Sequence, residues 1–202
     1  TLDLAAGASL LGSADIADYR NPDPFLDGDN QPMGYALIAA VDAERVGITG
    51  TGVIDGRGYL LKRNQQPYLK RPFLIRFVRC RGVAVRGVYL KNPGAWTLTF
   101  SGSKEIVIEG VTIRTRDQHL RNNDGIDLDS CANVRVANCD IETGDDAFVI
   151  KSTLPEPSRA IRVEHCTLST GANAIKFGTE SQGGFQDVTV TDCTVLRAGY
   201  SG

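Results

Sequence analysis

The sequence predicts an all-β fold of the solenoid type, a single-stranded parallel β-helix, from a repeated apolar alternation, a column of turn residues and a lack of helical periodicity. Six segments share an apolar-x-apolar pattern, and they start at Val46, Val83, Ile106, Val134, Ile161 and Val188. The last two intervals are each 27 residues, and the earlier ones are 37, 23 and 28 residues. Such variation is expected where loops of different length emerge between the same core strands. Because period-2 alternation of β-branched residues is typical of strands, each segment is predicted to be a strand.

A turn residue at one fixed place in the repeat supports stacked coils. The aligned residues are Gly87, Gly110, Asn138, His165 and Asp192, and most of these types tolerate left-handed backbone. A coil of this length cannot bury its apolar face alone and must stack on its neighbours. The repeats are too short for a propeller blade, and the helices of a leucine-rich solenoid are missing, since no window shows convincing helical periodicity.

Composition limits the classes of partner. The chain has 42% apolar residues and a formal net charge of −2, so it can bury a substantial core and gives no reason to expect nucleic acid. No apolar run is long enough to cross a membrane, and no secretory signal begins the chain. Residues 1–4 already have a strand pattern, and residues 199–202 stop one strand into a repeat, with a cap at neither end. We therefore expect residues 1–202 to be part of one β-helix domain that is truncated at both ends.

The cysteines favour packing over cross-linking or metal binding. The five residues are Cys80, Cys131, Cys139, Cys166 and Cys193, and an odd number without short-range pairing is not a disulfide framework. The last three occupy one inward column and are predicted to form a stack of small buried side chains, although adjacent rungs lie close enough for a disulfide. Zinc is not expected, because CxxC and paired histidines are missing.

Three aspartates are predicted to meet on neighbouring coils. When residues 145–151 are aligned with the residues 27 positions later, Phe148 stacks on Ile175 and Ile150 stacks on Phe177. One coil earlier, Ile126 and Leu128 occupy the same two inward columns. The outward columns that follow are Asp124, Asp146, Asn173, then Asp127, Val149, Lys176, then Asp129, Lys151, Gly178. Asp145 can share a face with Asp146 only at a bend, and Gly144 makes such a bend plausible. The predicted result is a groove-like sheet face with an acidic centre.

Clustered carboxylates suit acid–base chemistry. Three carboxyl groups within a few ångströms cannot all ionise cheaply, so the pKa of one should rise and supply a proton while the others stay anionic. An acid and a base on either side of a sugar linkage are what glycoside hydrolysis requires. A lone Asp-Asp pair is more simply interpreted as an exposed turn rich in Asp. Two acidic motifs that the repeat brings into register favour a catalytic site instead.

The motifs identify a family resemblance. Residues 122–127, Asn-Asn-Asp-Gly-Ile-Asp, and 143–146, Thr-Gly-Asp-Asp, resemble the Asn-x-Asp and Asp-Asp motifs of glycoside hydrolase family 28, the polygalacturonases and their relatives. Residues 50–56, 71–72 and 92–96 are also similar to that family. The resemblance implies a right-handed parallel β-helix and inverting hydrolysis of pectic polysaccharide without a metal or other cofactor. It also implies that Asp145 is the general acid and that Asp124 and Asp146 activate the water.

The chain departs from the family pattern on the next coil. Asn173 and Ala174 stand where the family has His-Gly, and the family's later Arg-Ile-Lys motif would fall at or beyond the end of the chain. The predicted substrate-binding residues are Asn122, Asn173, Lys176, Asp127 and Lys151. Lys176 could bind an acidic sugar, or it could simply be solvated or paired with Asp127.

Four further residues could have local roles. His165 is read as a bend residue. His119 could reach the cleft but is more simply a surface loop residue. Trp96 could stack on a sugar, although a lone Trp is usually packed in the core. Glu180 could line the rim of the groove.

Three functional classes remain open. The first is a hydrolase of polygalacturonan or a rhamnogalacturonan-like glycan, either endo-acting or, if loops wall off the groove, exo-acting. The second is a β-helix polysaccharide lyase, which needs a base and often Ca²⁺. The third is a non-catalytic glycan-binding β-helix. The expected partner is an acidic plant cell-wall polysaccharide, with no nucleic acid and no membrane; we expect a monomer that is secreted or periplasmic, since that is where such a substrate is met.

Overall fold

The computed structural model describes residues 1–28, 30–65, 70–115 and 120–200, and these form a right-handed parallel β-helix. Sheet A contains, in spatial order, β1 (Leu2–Leu4), β6 (Glu44–Gly50), β9 (Arg81–Arg86), β12 (Lys104–Glu109), β15 (Ala132–Ala137), β18 (Ser158–Glu164) and β21 (Phe185–Thr191). Sheet B contains β2 (Ser9–Leu11), β7 (Val53–Asp55), β10 (Tyr89–Lys91), β13 (Thr112–Arg114), β16 (Asp140–Thr143), β19 (Thr167–Thr170) and β22 (Thr194–Arg197). Sheet C contains β5 (Ala36–Val41), β8 (Phe73–Val78), β11 (Leu98–Ser101), β14 (Ile126–Asp129), β17 (Phe148–Ser152) and β20 (Ile175–Ser181).

The predicted repeat register is confirmed strand by strand. In sheet A, the starting residues of the six segments pair in sequence, from Val46 with Val83 through to Ile161 with Val188. The inward side chains of the three sheets meet in one continuous apolar core, in which Phe77 and Phe100 stack with ring centroids 5.2 Å apart. The alternation therefore predicted both which residues are strands and how the coils stack, because each strand must keep its apolar face inward.

The turn column between sheets A and B has the predicted backbone. Gly87, Gly110, Asn138, His165 and Asp192 all have positive φ, between 53° and 75°. Residues such as Asn, Asp and His tolerate this conformation better than β-branched residues do. The assignment of His165 to a bend is confirmed by its φ of 54°.

The cysteine column is also confirmed. Cys139 and Cys166 are buried, Cys193 is half-buried, and all five cysteines of the chain are free thiols. They pack with the apolar core.

Three details differ from the expectation. A helix, α1 (Gly58–Asn64), follows β7 and buries Leu61, and a 3₁₀ turn spans Ile16–Asp18. Both are too short to produce a detectable helical period. In sheet C the register shifts after the pair Ile150–Phe177, and Ser152 then pairs with Ser181. The prediction that Gly178 follows Lys151 in an outward column is therefore wrong, because β20 carries two extra residues at this point.

A hairpin of β3 (Phe25–Leu26) and β4 (Pro32–Met33) packs beside sheet C. Phe25 lies against Phe73 and Trp96, with ring centroids 6.1 and 6.2 Å away. At the tip, a methyl group added to Gly28 would lie 2.8 Å from Oε1 of Glu180. The hairpin thus reaches from the early coils to the last strand of sheet C. Among the described residues, no helix is long and apolar enough to cross a membrane.

Candidate active site

The three predicted aspartates lie where strands of sheet C begin. Asp124 precedes β14, and Asp145 and Asp146 precede β17. The amide of Gly125 donates to the carbonyl of Asp146, and the amide of Ala147 donates to the carbonyl of Asn173. Asp124, Asp146 and Asn173 therefore stack on successive coils, as predicted. Gly125 is required here, because a Cβ at this position would lie 2.4 Å from the carbonyl oxygen of Ala147.

A bend brings the two neighbouring aspartates onto one side. The chain bends at residues 144–146, and the hydroxyls of Thr143 and Thr170 both donate to the carbonyl of Asp145, at 2.6 and 2.5 Å. The predicted bend at Gly144 is thus confirmed. One carboxylate oxygen from each of Asp124, Asp145 and Asp146 lies within 4.8 Å of the other two. These three residues are called the acidic triad below.

Asp146 is the most strongly hydrogen-bonded member of the triad. Its Oδ1 accepts from the backbone amide of Asn173 at 3.0 Å and from Nδ2 of Asn173 at 2.6 Å. Its Oδ2 lies 2.8 Å from Nζ of Lys176. The structure thus pairs Lys176 with Asp146, whereas a pair with Asp127 was one of the alternatives that the sequence left open. Although burial opposes its charge, the contact with Asp146 raises the pKa of Lys176.

Asp145 is the most accessible member. It is half-buried, and its carboxylate accepts hydrogen bonds from two backbone amides, that of Asp146 at 3.0 Å and that of Asn122 at 3.2 Å. Asn122 therefore reaches the triad through its backbone, while its side chain accepts a hydrogen bond from Arg71 at 2.8 Å. The contact of Arg71 with this loop joins positions 51 residues apart, and strand periodicity does not predict it.

Asp124 is buried inside the cluster. It is 6% exposed, and its Oδ1 has no hydrogen-bond partner among the described residues. Burial raises the pKa of Asp124 well above its usual range, and the charges of Asp127, Asp145 and Asp146 raise it further. The pKa of one carboxyl group of the cluster is thus raised, as expected, but burial contributes more to this than the clustering on which the expectation was based. Within the triad, the neutral form is therefore favoured most at Asp124.

Asp127 is a fourth carboxyl group of the site. It lies on the outward face of β14, is 2% exposed, and neither of its oxygens has a partner among the described residues. Burial raises the pKa of Asp127 to about 8, although the ammonium group of Lys151 opposes the rise. The sequence placed Asp127 in the groove, but only the structure shows the depth of its burial.

Beside Asp127 lies a cavity of about 430 Å³. Its walls include Lys151 and Trp96, and the ammonium group of Lys151 lies 5.1 Å from the centroid of the Trp96 ring. Lys151 also pairs with Glu180, with Nζ 2.9 Å from Oε2. Burial opposes both charges, but this contact raises the pKa of Lys151 and lowers that of Glu180. The β3–β4 hairpin forms another wall of the cavity. The sequence did not predict this hairpin, because each of its strands is only two residues long.

The remaining expectations concern Trp96, His119 and a bound cation. Trp96 stacks on Phe73, with ring centroids 5.0 Å apart, and it also lines the cavity. Trp96 therefore packs against the protein, as one prediction had it, and also lies where the alternative role, contact with a sugar, remains a prediction. His119 lies outside the described residues. The acidic triad could hold a cation by its geometry, but the ammonium group of Lys176 already contacts Asp146.

Comparison with known proteins agrees with the motifs. The sequence profile of glycosyl hydrolases family 28 matches residues 26–201. A probable polygalacturonase from Vitis vinifera is 32% identical over 98% of this chain and 44% of its own length. The crystal structure of an exopolygalacturonase from Thermotoga maritima has a TM-score of 0.80 at 27% identity, over 97% of this chain and 55% of its own. A polygalacturonase from Erwinia carotovora ssp. carotovora has a TM-score of 0.79 at 26% identity, over 96% of this chain and 55% of its own.

The chain thus spans about half the length of these proteins. The family match nevertheless covers most of the β-helix, the whole acidic triad and most of the cavity wall. On this basis the chain belongs to glycosyl hydrolases family 28.

Proposed function

We propose that this chain carries the catalytic centre of a glycoside hydrolase that cleaves pectic polysaccharide by acid–base chemistry. The observation that supports this most directly is the acidic triad, whose carboxylate oxygens lie within 4.8 Å of one another and include one group with a raised pKa. Hydrolysis of a glycosidic bond needs both a proton donor and a base at the same linkage. The names of the three similar proteins given above, two polygalacturonases and an exopolygalacturonase, are consistent with this chemistry.

Asp145 is proposed as the general acid. It is half-buried, whereas Asp124 and Asp146 are 6% and 2% exposed, so Asp145 can most readily approach a glycosidic oxygen. In this role the Asp145 carboxyl group would give its proton to the glycosidic oxygen as that bond breaks, and would become a carboxylate. Asp124 and Asp146 are proposed to orient and deprotonate the attacking water. Asn173 and Lys176 hold Asp146 in position for this role.

The inverting course of the reaction is proposed on the basis of family membership. Inverting enzymes usually keep their two carboxyl groups ~6.5–9.5 Å apart, and retaining enzymes about 5–5.5 Å apart. The triad oxygens lie closer together than the inverting range. Proton NMR of the first-formed anomer would decide the outcome, and a retained anomer would refute inversion.

Substrate binding is proposed for the remaining groove residues. Lys151 and Asp127 line the cavity, and Asn122, Asn173 and Lys176 contact the triad from the adjacent coils. The proposed partner is an acidic plant cell-wall polysaccharide, met outside the cell or in a periplasm. Residues 1–202 are proposed to be part of one β-helix domain that acts as a monomer.

The test is product analysis on polygalacturonan and rhamnogalacturonan. The wild-type protein is compared with Asp145→Asn, which keeps the side-chain shape but removes the acidic proton, and with Asp192→Asn, the same change at an exposed turn. Saturated products are expected from the wild type and from Asp192→Asn but not from Asp145→Asn. Circular dichroism checks that Asp145→Asn remains folded. Unsaturated products would indicate a lyase, and full activity of Asp145→Asn would refute the assigned acid.

A further inference from the structure

The cavity beside Asp127 is separate from the acidic triad, and its charges are unusual for a site that meets an acidic polymer. It lies on the outward face of sheet C under the β3–β4 hairpin, and none of the triad residues lines it. Asp127 connects the two, since it lines the cavity and lies on β14, the strand that Asp124 precedes. A sugar in this cavity would therefore be next to the sugar at the triad.

Every cation described in the cavity wall is already paired with a carboxylate. Arg76 lies 3.1 Å from Oδ2 of Asp23, and Arg79 lies 2.9 Å from Oδ1 of the same residue. Lys151 pairs with Glu180 at 2.9 Å. A uronate carboxylate entering the cavity would have to break one of these pairs to find a cation, and would leave the original carboxylate without its partner.

Carboxylates outnumber cations in the described wall. Besides the paired Asp23 and Glu180, the wall contains Asp27, Asp127 and Asp129, against the three cations named above. Even with Asp127 protonated, the described charges sum to a net negative value. An additional uronate charge is therefore repelled, and the low local dielectric strengthens the repulsion.

The same wall is well supplied with acceptors for hydroxyl groups. Asp127 is 2% exposed and neither of its oxygens has a partner among the described residues, so it is a buried polar side chain that a ligand could complete. Asp129 is held by the amide and hydroxyl of Thr153, at 2.8 and 2.6 Å. Trp96 adds an apolar ring surface, the type of surface on which the faces of sugars pack.

We propose that this cavity is a subsite for an uncharged sugar unit, so that the substrate is a mixed glycan with a neutral residue next to the cleaved linkage. This inference rests on the proposed glycoside hydrolase function and adds the identity of one substrate unit. Specificity would come from the cost of burying a uronate among paired charges, together with the hydroxyl acceptors on Asp127 and Asp129.

Trp96 gives a direct readout, because it is the single tryptophan of the chain and lines the cavity. The ligands are the α-1,4-linked galacturonate trimer and its carboxyl-reduced counterpart, in which an uncharged hydroxymethyl group replaces each carboxylate. They are titrated into the Asp145→Asn protein, so that binding is measured without turnover. The neutral trimer is expected to change Trp96 fluorescence and to bind at least ~10-fold tighter than the galacturonate trimer at low salt. Added salt should reduce this difference.

A second variant tests whether the charges of the cavity wall cause the preference for the neutral trimer. Glu180→Gln removes one negative charge and releases Lys151, so the galacturonate trimer should bind more tightly and the preference should fall severalfold. Glu156→Gln, the same change at an exposed position outside the cavity, should keep the wild-type preference. Equal or tighter binding of the galacturonate trimer to the unmodified cavity would overturn the proposal, as would the absence of a Trp96 response to both ligands. Lack of hydrolysis by the wild type, with the neutral preference intact, would refute the proposed function alone.

Discussion

Replacing Asp127 by Asn should stabilise the protein, and the gain should grow as the pH rises. In the unfolded chain this carboxyl group releases its proton near the ordinary pKa of 3.8, whereas in the fold it keeps the proton until about pH 8. Between these values the native state binds one more proton than the unfolded state, so the free energy of unfolding falls with rising pH. Asn at this position is neutral at every pH, so the variant should not show this fall in the free energy of unfolding.

The magnitude follows from the size of the pKa shift. At 1.36 kcal/mol per pKa unit, the difference between about 8 and 3.8 sets an upper bound of about 6 kcal/mol. Asp127 titrates together with Asp124, which shares the same buried region, so we expect the observed gain at pH 8 relative to pH 4 to be ~2–4 kcal/mol. At pH 4 the variant should have nearly wild-type stability, since both side chains are then neutral.

The assay is urea unfolding at pH 4, 6 and 8, followed by circular dichroism. The matched control is Asp129→Asn, two residues further along β14, where the carboxylate is hydrogen-bonded by Thr153. The reasoning requires a pH-dependent gain that is specific to Asp127. A gain for Asp127→Asn that is constant across this range, or an equal increase with pH in Asp129→Asn, would refute the assignment of a buried, desolvated carboxyl group.

Three other predictions concern the triad and the coil turns. Lys176→Met should lower activity at least ~10-fold because it removes the cation that contacts Asp146, and Lys176→Arg should restore most of it; equal loss in both variants would contradict a charge role. A chelator such as EDTA should leave the rate of hydrolysis unchanged if catalysis relies on the triad and Lys176; a loss that Ca²⁺ restores would favour a lyase. Asn138→Val should destabilise the protein by ~1–2 kcal/mol because φ is 55° at this turn, whereas Asn138→Gly should be nearly neutral; equal urea midpoints for the two variants would refute turn strain.

The sequence predicted the coil register because a solenoid is built from interactions between nearest neighbours. Each apolar alternation can stack in only one register without turning its side chains outward. The same constraint aligned Asp124, Asp146 and Asn173 on successive coils, as the backbone hydrogen bonds confirm. The short helix α1 was missed because seven residues hold too little periodicity. The register shift in β20 was missed because alternation cannot show where a strand gains two residues.

By itself the sequence determined the β-helix, the turn column, the family and the identity of the acidic triad, because these depend on local pattern and on repeat spacing. Only the tertiary structure decided that Lys176 pairs with Asp146 and that Glu180 pairs with Lys151. It also showed that Asp127 is buried and has no hydrogen-bond partner within the described part of the chain. It also placed the β3–β4 hairpin against the groove, with Gly28 beside Glu180. These features join positions about 30 to 150 residues apart, and their physical causes, desolvation and charge pairing, arise only when distant loops pack against the same sheet face.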